Sequence, residues 1–332
     1  MTAIPDYDLP DESIAQQPIE PRDAARMLVA VDPSAAPQHR HVADLPELVG
    51  PGDVIVVNTS RVLPARLRLR KQTGGTAEVL LVEADPSSGA DVWVALVRPG
   101  RRLPPGTLLS APDGGAAVVE VGADMGDGRR QVRLLADDTV GAIGELALPP
   151  YIHEPLADPE RYQTVYAERP GSVAAPTAGL HLTSDVLERC REQGSTVERV
   201  DLAVGLGTFR PLSGATVEAH VMHAERYGVE AATMEACLAA RRVIAIGTTT
   251  VRALETAAVT GDLEGRSDLY IHGEHTFAVV DVLLTNFHQP RSSLLVLLEA
   301  FYGPRWRDLY ACALDQGYRF LSFGDAMLIG RR

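Results

Sequence analysis

Leu283-Leu284-Thr285-Asn286-Phe287-His288-Gln289-Pro290-Arg291-Ser292-Ser293-Leu294-Leu295 carries the strongest structural signal in the chain. The apolar run Val279 to Leu284 stops at a Thr-Asn-Phe-His cluster, and two serines lead into a second apolar stretch, Leu294 to Leu298. That order reads as strand, polar loop and helix N-terminus. It sets an amide, an imidazole and a guanidinium beside helix N–H groups that lack intrahelical partners, a common arrangement for holding a polar or anionic ligand.

Three other loops share this texture. Ala174-Ala175-Pro176-Thr177-Ala178-Gly179-Leu180-His181 stands just before a helical pattern. Val204-Gly205-Leu206-Gly207-Thr208-Phe209-Arg210-Pro211 follows a strand pattern, and its glycines permit close backbone approach to a ligand. It lacks the full dinucleotide-binding fingerprint. Gly247-Thr248-Thr249-Thr250-Val251-Arg252-Ala253-Leu254-Glu255 combines a glycine turn with hydroxyl caps at a helix start, an anion-site pattern, and sets Arg252 and Glu255 on one helix face. In open α/β sheets ligands bind outside the carboxyl ends of strands, the position all four loops are expected to hold.

Working outward, helices are expected at Arg22 to Val29, Asp185 to Gln193, Thr233 to Arg241, Val251 to Val259 and Leu294 to Phe301, with strands at Asp53 to Val57, Val197 to Val204, Val243 to Ile246 and Phe277 to Leu284. Between Pro64 and Pro150 the texture changes to short strand patterns: Ala65 to Arg70, Ala77 to Glu83, Asp91 to Val97, Ala116 to Val121 and Gln131 to Leu135. Gly- and Asp-rich turns separate them, as in a barrel or sandwich. The expected fold is therefore an α/β main domain, residues 1–63 and 151–332, with an inserted all-β barrel-like domain at 64–150.

The chain has 332 residues, of which 45% are hydrophobic, enough for two cores. It contains no uncharged apolar run long enough to span a bilayer, and Met1-Thr2-Ala3-Ile4-Pro5-Asp6 is not a signal peptide pattern. Cys190, Cys237 and Cys312 are odd in number and far apart, which fits a reducing cytoplasm and gives neither a metal nor a disulfide pattern. A net charge of −13 disfavours a protein that coats nucleic acid indiscriminately. Locally the balance reverses: eight basic side chains face four acidic ones between Arg61 and Pro105. Arg66, Arg68 and Arg70 alternate with Leu67 and Leu69, which on a strand gives either a solvated outer face or a phosphate-contacting ridge. His220, His223 and Glu225 do not have the spacing of zinc proteases, so no metal is expected.

Longer motifs then accumulate in order. Tyr7-Asp8-Leu9-Pro10, Arg61-Val62-Leu63-Pro64-Ala65-Arg66, Leu148-Pro149-Pro150-Tyr151-Ile152, Tyr162-Gln163-Thr164-Val165-Tyr166 and Pro176-Thr177-Ala178-Gly179-Leu180-His181 come first. Gly205-Leu206-Gly207-Thr208-Phe209, Met222-His223-Ala224-Glu225, Gly247-Thr248-Thr249 with Arg252, Leu284-Thr285-Asn286-Phe287-His288 and Gly324-Asp325-Ala326-Met327 follow. Together they resemble the S-adenosylmethionine:tRNA ribosyltransferase-isomerase family of queuosine biosynthesis over nearly the whole chain. The chain departs from the family pattern at Thr59, where an acidic residue is usual, at Ala203, where histidine is usual, at Gly273-Glu274-His275 and at Gln289. These departures bear on the acceptor more than on the donor.

The resemblance implies transfer of the ribosyl part of S-adenosylmethionine to the aminomethyl group of a 7-deazaguanine at the tRNA wobble position. Adenine and methionine leave, the ribose becomes an epoxycyclopentane, and no cofactor or metal takes part; S-adenosylmethionine is a substrate. Such chemistry needs acid–base groups, anion stabilisers and exclusion of water. His181, His223 and His288 are candidate acids or bases, Glu225 a candidate orienting group, and Arg252 a candidate clamp for the methionine carboxylate. Asn286, Thr177 and Thr248 are candidates for reading base or ribose edges, and the matched motifs add Arg61, Gly179, Gly205, Gly207, Thr208, Phe209, Thr249 and Asp325 as expected substrate contacts. Arg66, Arg68 and Arg70 are the expected RNA contacts. Two alternatives stay open: a paralogue using the same donor on a free deazapurine or nucleoside, and a methyltransferase suggested by Gly205-Leu206-Gly207.

Overall fold

The structure, a computed structural model, describes residues 2–32, 34–85, 87–126, 128–136, 138–205, 212 and 216–332. Its strands in chain order are β1 (Arg26–Ala30), β2 (Gln38–His41), β3 (Asp53–Asn58), β4 (Ser60–Val62), β5 (Arg66–Lys71), β6 (Thr76–Ala84), β7 (Val92–Arg98), β8 (Thr107–Ala111), β9 (Gly114–Gly126), β10 (Arg129–Leu134), β11 (Gly144–Glu145), β12 (Arg169–Ser172), β13 (Thr196–Leu202), β14 (Glu225–Val229), β15 (Arg242–Ile246), β16 (Glu264–Ser267), β17 (Val282–Asn286) and β18 (Ala326–Gly330). The α-helices are α1 (Thr139–Ile143), α2 (Ser184–Glu192), α3 (Ala231–Ala239), α4 (Thr248–Thr260), α5 (Ser293–Tyr302) and α6 (Trp306–Asp315). The chain divides into two compact units, one of Met1–Arg61, Pro149–Arg169 and Ala175–Arg332, the other of Val62–Leu148 and Pro170–Ala174.

The first unit is built on a nine-stranded sheet in the order β16-β14-β13-β3-β15-β17-β18-β1-β2. The four central strands β13, β3, β15 and β17 run parallel, while β14, β16, β18 and β2 pair antiparallel to their inner neighbours. Every residue of β3 and β17 is buried. That is why they read as unbroken apolar runs rather than alternating ones. Met27, Ile55, Val57, Ile244, Ile246, Val282, Leu284 and Leu328 form a core with Val186, Leu187 and Cys190 of α2.

Two expected elements are corrected. Arg22 to Val29 is not a helix: Arg22–Ala24 make one tight 3₁₀ turn, and β1 follows, held between β18 and β2. Met27, Leu28, Val29 and Ala30 are all buried, and a short unbroken apolar run fits a two-faced strand as well as a helix. The strand expected from Phe277 begins at Val282, because the N–H groups of Ala278, Val279 and Val280 donate to the buried Glu255 carboxylate instead of to a ladder.

The second unit is the expected barrel. Strands β5-β6-β7-β10-β9-β8 pair antiparallel in sequence and β8 returns to β5, closing six strands. Leu67, Leu69, Val79, Leu81, Ala95, Val119, Val121 and Val132 fill it. β8 pairs with Arg70 and Lys71 of β5, and β11 adds at Arg66 and Leu67 of the same edge. On β5 the alternation holds: Leu67 and Leu69 point inward and Arg68 and Arg70 are exposed.

Candidate active site

The carboxyl ends of β13, β15 and β17 deliver Val204, Gly247 and Asn286 to one cleft. Each loop is shaped by its own chemistry. Gly247, at φ 87°, turns the chain from β15 into α4 in a conformation that a side chain would strain. Thr248 and Thr249 at the start of α4 face the cleft. Asn58, at the end of β3, donates to the Leu202 carbonyl (3.0 Å) and the Thr249 hydroxyl (3.2 Å), and accepts from the Leu202 and Ser60 N–H groups (3.1 Å each). One amide thus ties two strand ends to the helix start. Ser292 caps α5 by accepting from Leu295 N–H at 3.2 Å.

The polar groups of the cleft are held from behind. Thr177 donates to Asn286 Oδ1 at 2.9 Å, and Asn286 Nδ2 meets His181 Nε2 at 2.9 Å. His288 Nε2 meets Thr285 Oγ1 at 3.0 Å, and the His288 backbone is held by the Tyr310 and Tyr7 hydroxyls. Tyr151 reaches Ser322 Oγ at 2.7 Å, and burial pushes its phenol up to about 12. Phe287, Leu294, Leu321 and Pro176 supply apolar walls. Among the described residues, the lining includes no Asp, Glu, Lys or Arg. A neighbouring pocket shares Thr248, Thr249 and Leu294 and adds Met222, Tyr270 and Arg252.

Burial pushes both imidazoles down to about 3; at His181 the positive charges of Arg319, Arg161 and Arg22 add to the effect. Neither histidine stores a proton near neutrality. In the unfolded chain each takes up a proton near 6.5, so from there down to about 3 the unfolded state binds protons the native state does not. Stability is therefore whole above about 6.5 and falls as pH drops through this window, by about 1.4 kcal/mol per pH unit for each histidine. Denaturant titrations at pH 7.5, 5.5 and 4.5 should show a shallower fall for His181→Gln than for the parent. Parallel slopes would refute a neutral buried His181.

The site gathers Thr177, Thr248, Thr249, Asn286 and His288 in its lining, with His181 one hydrogen bond behind. Other expected site residues do different work. Arg252 is buried and held by the protein: it ion-pairs with Glu225 and donates from Nε to the Leu269 carbonyl (3.2 Å) and from Nη2 to the Ser267 carbonyl (3.1 Å), so its Nε–Nη2 edge is already taken by backbone. Glu225 in turn accepts from Gly205 N–H at 2.7 Å, anchoring the start of the glycine loop. His223 is exposed at the surface. Asp325 spends both oxygens on the Arg26 (2.9 Å) and Arg319 (2.8 Å) N–H groups. Gly179 is a packing position, where an added Cβ would lie 2.0 Å from the Tyr166 hydroxyl. Arg61 pairs with Glu160, and Arg291 turns from the cleft to Asp6 at 3.4 Å. Gly207, Thr208 and Phe209 lie outside the described residues.

Tyr151, Thr285, Gln289, Ser292 and Ser322 also line the cleft and were not among the named contact residues, although Thr285, Gln289 and Ser292 belong to the loop expected to hold a ligand. Gln289 is one of the positions at which the chain departs from the family pattern. On the barrel, Arg66 pairs with Glu78 at 3.8 Å and Arg68 with Glu145 at 2.9 Å, so two of the three ridge arginines already have carboxylate partners. Among the described residues no group of three or more His, Cys, Asp and Glu is placed to hold a metal ion. No described helix is long and apolar enough to cross a membrane.

With this geometry in place, comparison with known proteins is direct. The family model described as queuosine biosynthesis protein matches residues 4–329. An S-adenosylmethionine:tRNA ribosyltransferase-isomerase of Moorella thermoacetica is 47% identical over 338 residues, 98% of each chain. One from Thermus thermophilus is 50% identical over 344 residues, again 98% of each chain. Among solved structures, an S-adenosylmethionine tRNA ribosyltransferase from Thermotoga maritima is similar with a TM-score of 0.55 and 34% identity, covering 98% of this chain and 99% of that one. A family match from residue 4 to residue 329 takes in the sheet, the barrel and every loop of the cleft, and the chain belongs to the queuosine biosynthesis protein family.

Proposed function

We propose that this protein transfers and isomerises the ribosyl moiety of S-adenosylmethionine onto a 7-aminomethyl-7-deazaguanine in the wobble position of tRNA, in the cytoplasm, releasing adenine and methionine. The observation that carries the reading is the cleft itself, in a chain of this family. It is a pocket at the carboxyl ends of parallel strands whose described lining residues offer neutral donors and acceptors and no Asp, Glu, Lys or Arg. Such a lining suits the base and ribose edges of a nucleoside better than a phosphate or a metal-bound group. Thr177, Thr248, Thr249 and Asn286 hold those edges, and His288 with Thr285 supplies a further neutral polar contact. Arg252 and Glu225 shape the site by anchoring Gly205.

The test is the identity of the acceptor. Incubation with S-adenosylmethionine and tRNA bearing the deazaguanine should yield a digested nucleoside heavier by the epoxycyclopentane unit. Consumption of S-adenosylmethionine with a free deazapurine, and none with tRNA, would replace tRNA by a small acceptor. The chemistry calls for no metal, so exhaustive chelation should leave turnover unchanged; loss restored by one stoichiometric divalent ion would contradict this.

The β5 ridge is the proposed RNA contact. Arg70 has no carboxylate partner among the ion pairs of the described residues, whereas Arg66 and Arg68 are shared with Glu78 and Glu145. Changing Arg66, Arg68 and Arg70 together to Ser should weaken tRNA binding and flatten its salt dependence, by about one unit of log–log slope per lost phosphate contact. The rate at saturating tRNA should change little. Unaltered binding would make the ridge a solvated strand face.

A further inference from the structure

We propose that His181 is a positioning residue. From behind the cleft it locks the Asn286 side-chain amide in one orientation, so that Asn286 reads the adenine of the donor and rejects a 6-oxo purine. The proposal rests on the transferase reading above.

An asparagine amide presents a donor and an acceptor of nearly equal size, and a cavity that fits one orientation fits the flipped one. Its neighbours decide between them. Thr177 cannot, because a hydroxyl rotates to donate or to accept. His181 can. Its Nε2 faces Asn286 Nδ2 at 2.9 Å and accepts that N–H in the Nδ1–H tautomer, which we assign to the ring. The ring is buried, and the nearby charges acting on it are those of Arg22, Arg161 and Arg319, which oppose an imidazolium. These arginines are fixed by backbone carbonyls: Arg22 by Gln163 and Leu180, Arg161 by Ile19, Arg319 by Gln17 and Phe323. An imidazolium would also set an N–H against the amide N–H. Thr177 then donates to Asn286 Oδ1 at 2.9 Å, in agreement with the same orientation.

After these two bonds the amide keeps one N–H and one oxygen lone pair, and Asn286 lines the cleft. A fixed, adjacent donor and acceptor match the N6–H donor and neighbouring ring-nitrogen acceptor of adenine. A 6-oxo purine offers an oxygen acceptor at that position and an N1–H donor beside it, the reverse pattern. It fits only a flipped amide. The lock therefore sets base specificity, and its removal should free the amide to accept either purine.

The experiment is calorimetric binding of S-adenosylmethionine and of S-inosylmethionine, its 6-oxo analogue, to the intact protein and its variants. The parent should favour the adenosyl compound by about 10- to 100-fold, the discrimination typical of one bidentate amide–base pair. His181→Phe should bring the two within about threefold; His181→Ala gives the same readout if the larger ring misfolds the chain. His181→Gln keeps a hydrogen-bond partner for Asn286 but, as a second amide, can flip together with it, so it too should lose the preference while its pH–kcat/KM profile overlays that of the parent. Thr177→Val should weaken both ligands yet keep their ratio. No preference in the parent, or full preference in folded His181→Phe, overturns the proposal. A pH limb lost in His181→Gln would make His181 a proton-transfer group and overturn it as well. Selective binding without release of adenine and methionine would defeat the transferase reading while leaving the lock intact. No binding of S-adenosylmethionine would remove both.

Discussion

Arg252→Ala should destabilise the protein by about 3–5 kcal/mol, the cost of leaving one member of a buried ion pair without its partner. Arg252 and Glu225 are both buried, and the guanidinium also joins α4 to the Ser267 and Leu269 carbonyls. Removing it strands the Glu225 carboxylate, which holds Gly205 at the start of the glycine loop. Urea unfolding should show a lower midpoint, with activity lost in step with folded population. The replacement Glu225→Gln should cost less, because the amide still accepts from Gly205 and leaves a charged arginine among carbonyls. Unchanged stability of Arg252→Ala with lost affinity for S-adenosylmethionine would return Arg252 to the role of carboxylate clamp.

Asn286→Ala should lower kcat/KM by about 10²-fold or more, the usual consequence of deleting a preorganised donor from an enclosed site. The structural cost should be smaller, about 1–3 kcal/mol, since His181 Nε2 and the Thr177 hydroxyl each lose a partner. The measurement is steady-state kinetics beside thermal unfolding. Near-parental kinetics in a folded variant would place the substrate elsewhere than this cleft. His288→Ala should follow the same direction, because its imidazole, held by Thr285, lines the same cleft.

The loops after β15 and β17 were legible because their signals are local: glycine, hydroxyl caps and an apolar run fall within a dozen residues. So was the barrel, where β5 alternates arginine and leucine and turns recur at short intervals. The roles of Arg252 and Asp325 were not. A charged residue in a family motif reads as a ligand contact, but what it touches is set by tertiary folding: Asp325 accepts from Arg26, 299 residues away. The Tyr151–Ser322 pair joins positions 171 apart and had no sequence signal beyond a matched Pro-Pro-Tyr. β1 was misread because four consecutive apolar residues carry no period. Helix α6, by contrast, carried a usable one: buried Trp306, Leu309, Tyr310 and Ala313 fall at i, i+3, i+4 and i+7.

Two samples of S-adenosylmethionine, one labelled in the ribose carbons and one in the S-methyl group, test the central claim most directly when each is turned over with deazaguanine-bearing tRNA. The expected result is ribose label in the tRNA nucleoside, methyl label in free methionine, and one adenine released per label incorporated. Methyl label in the acceptor together with S-adenosylhomocysteine would contradict ribosyl transfer and make the enzyme a methyltransferase.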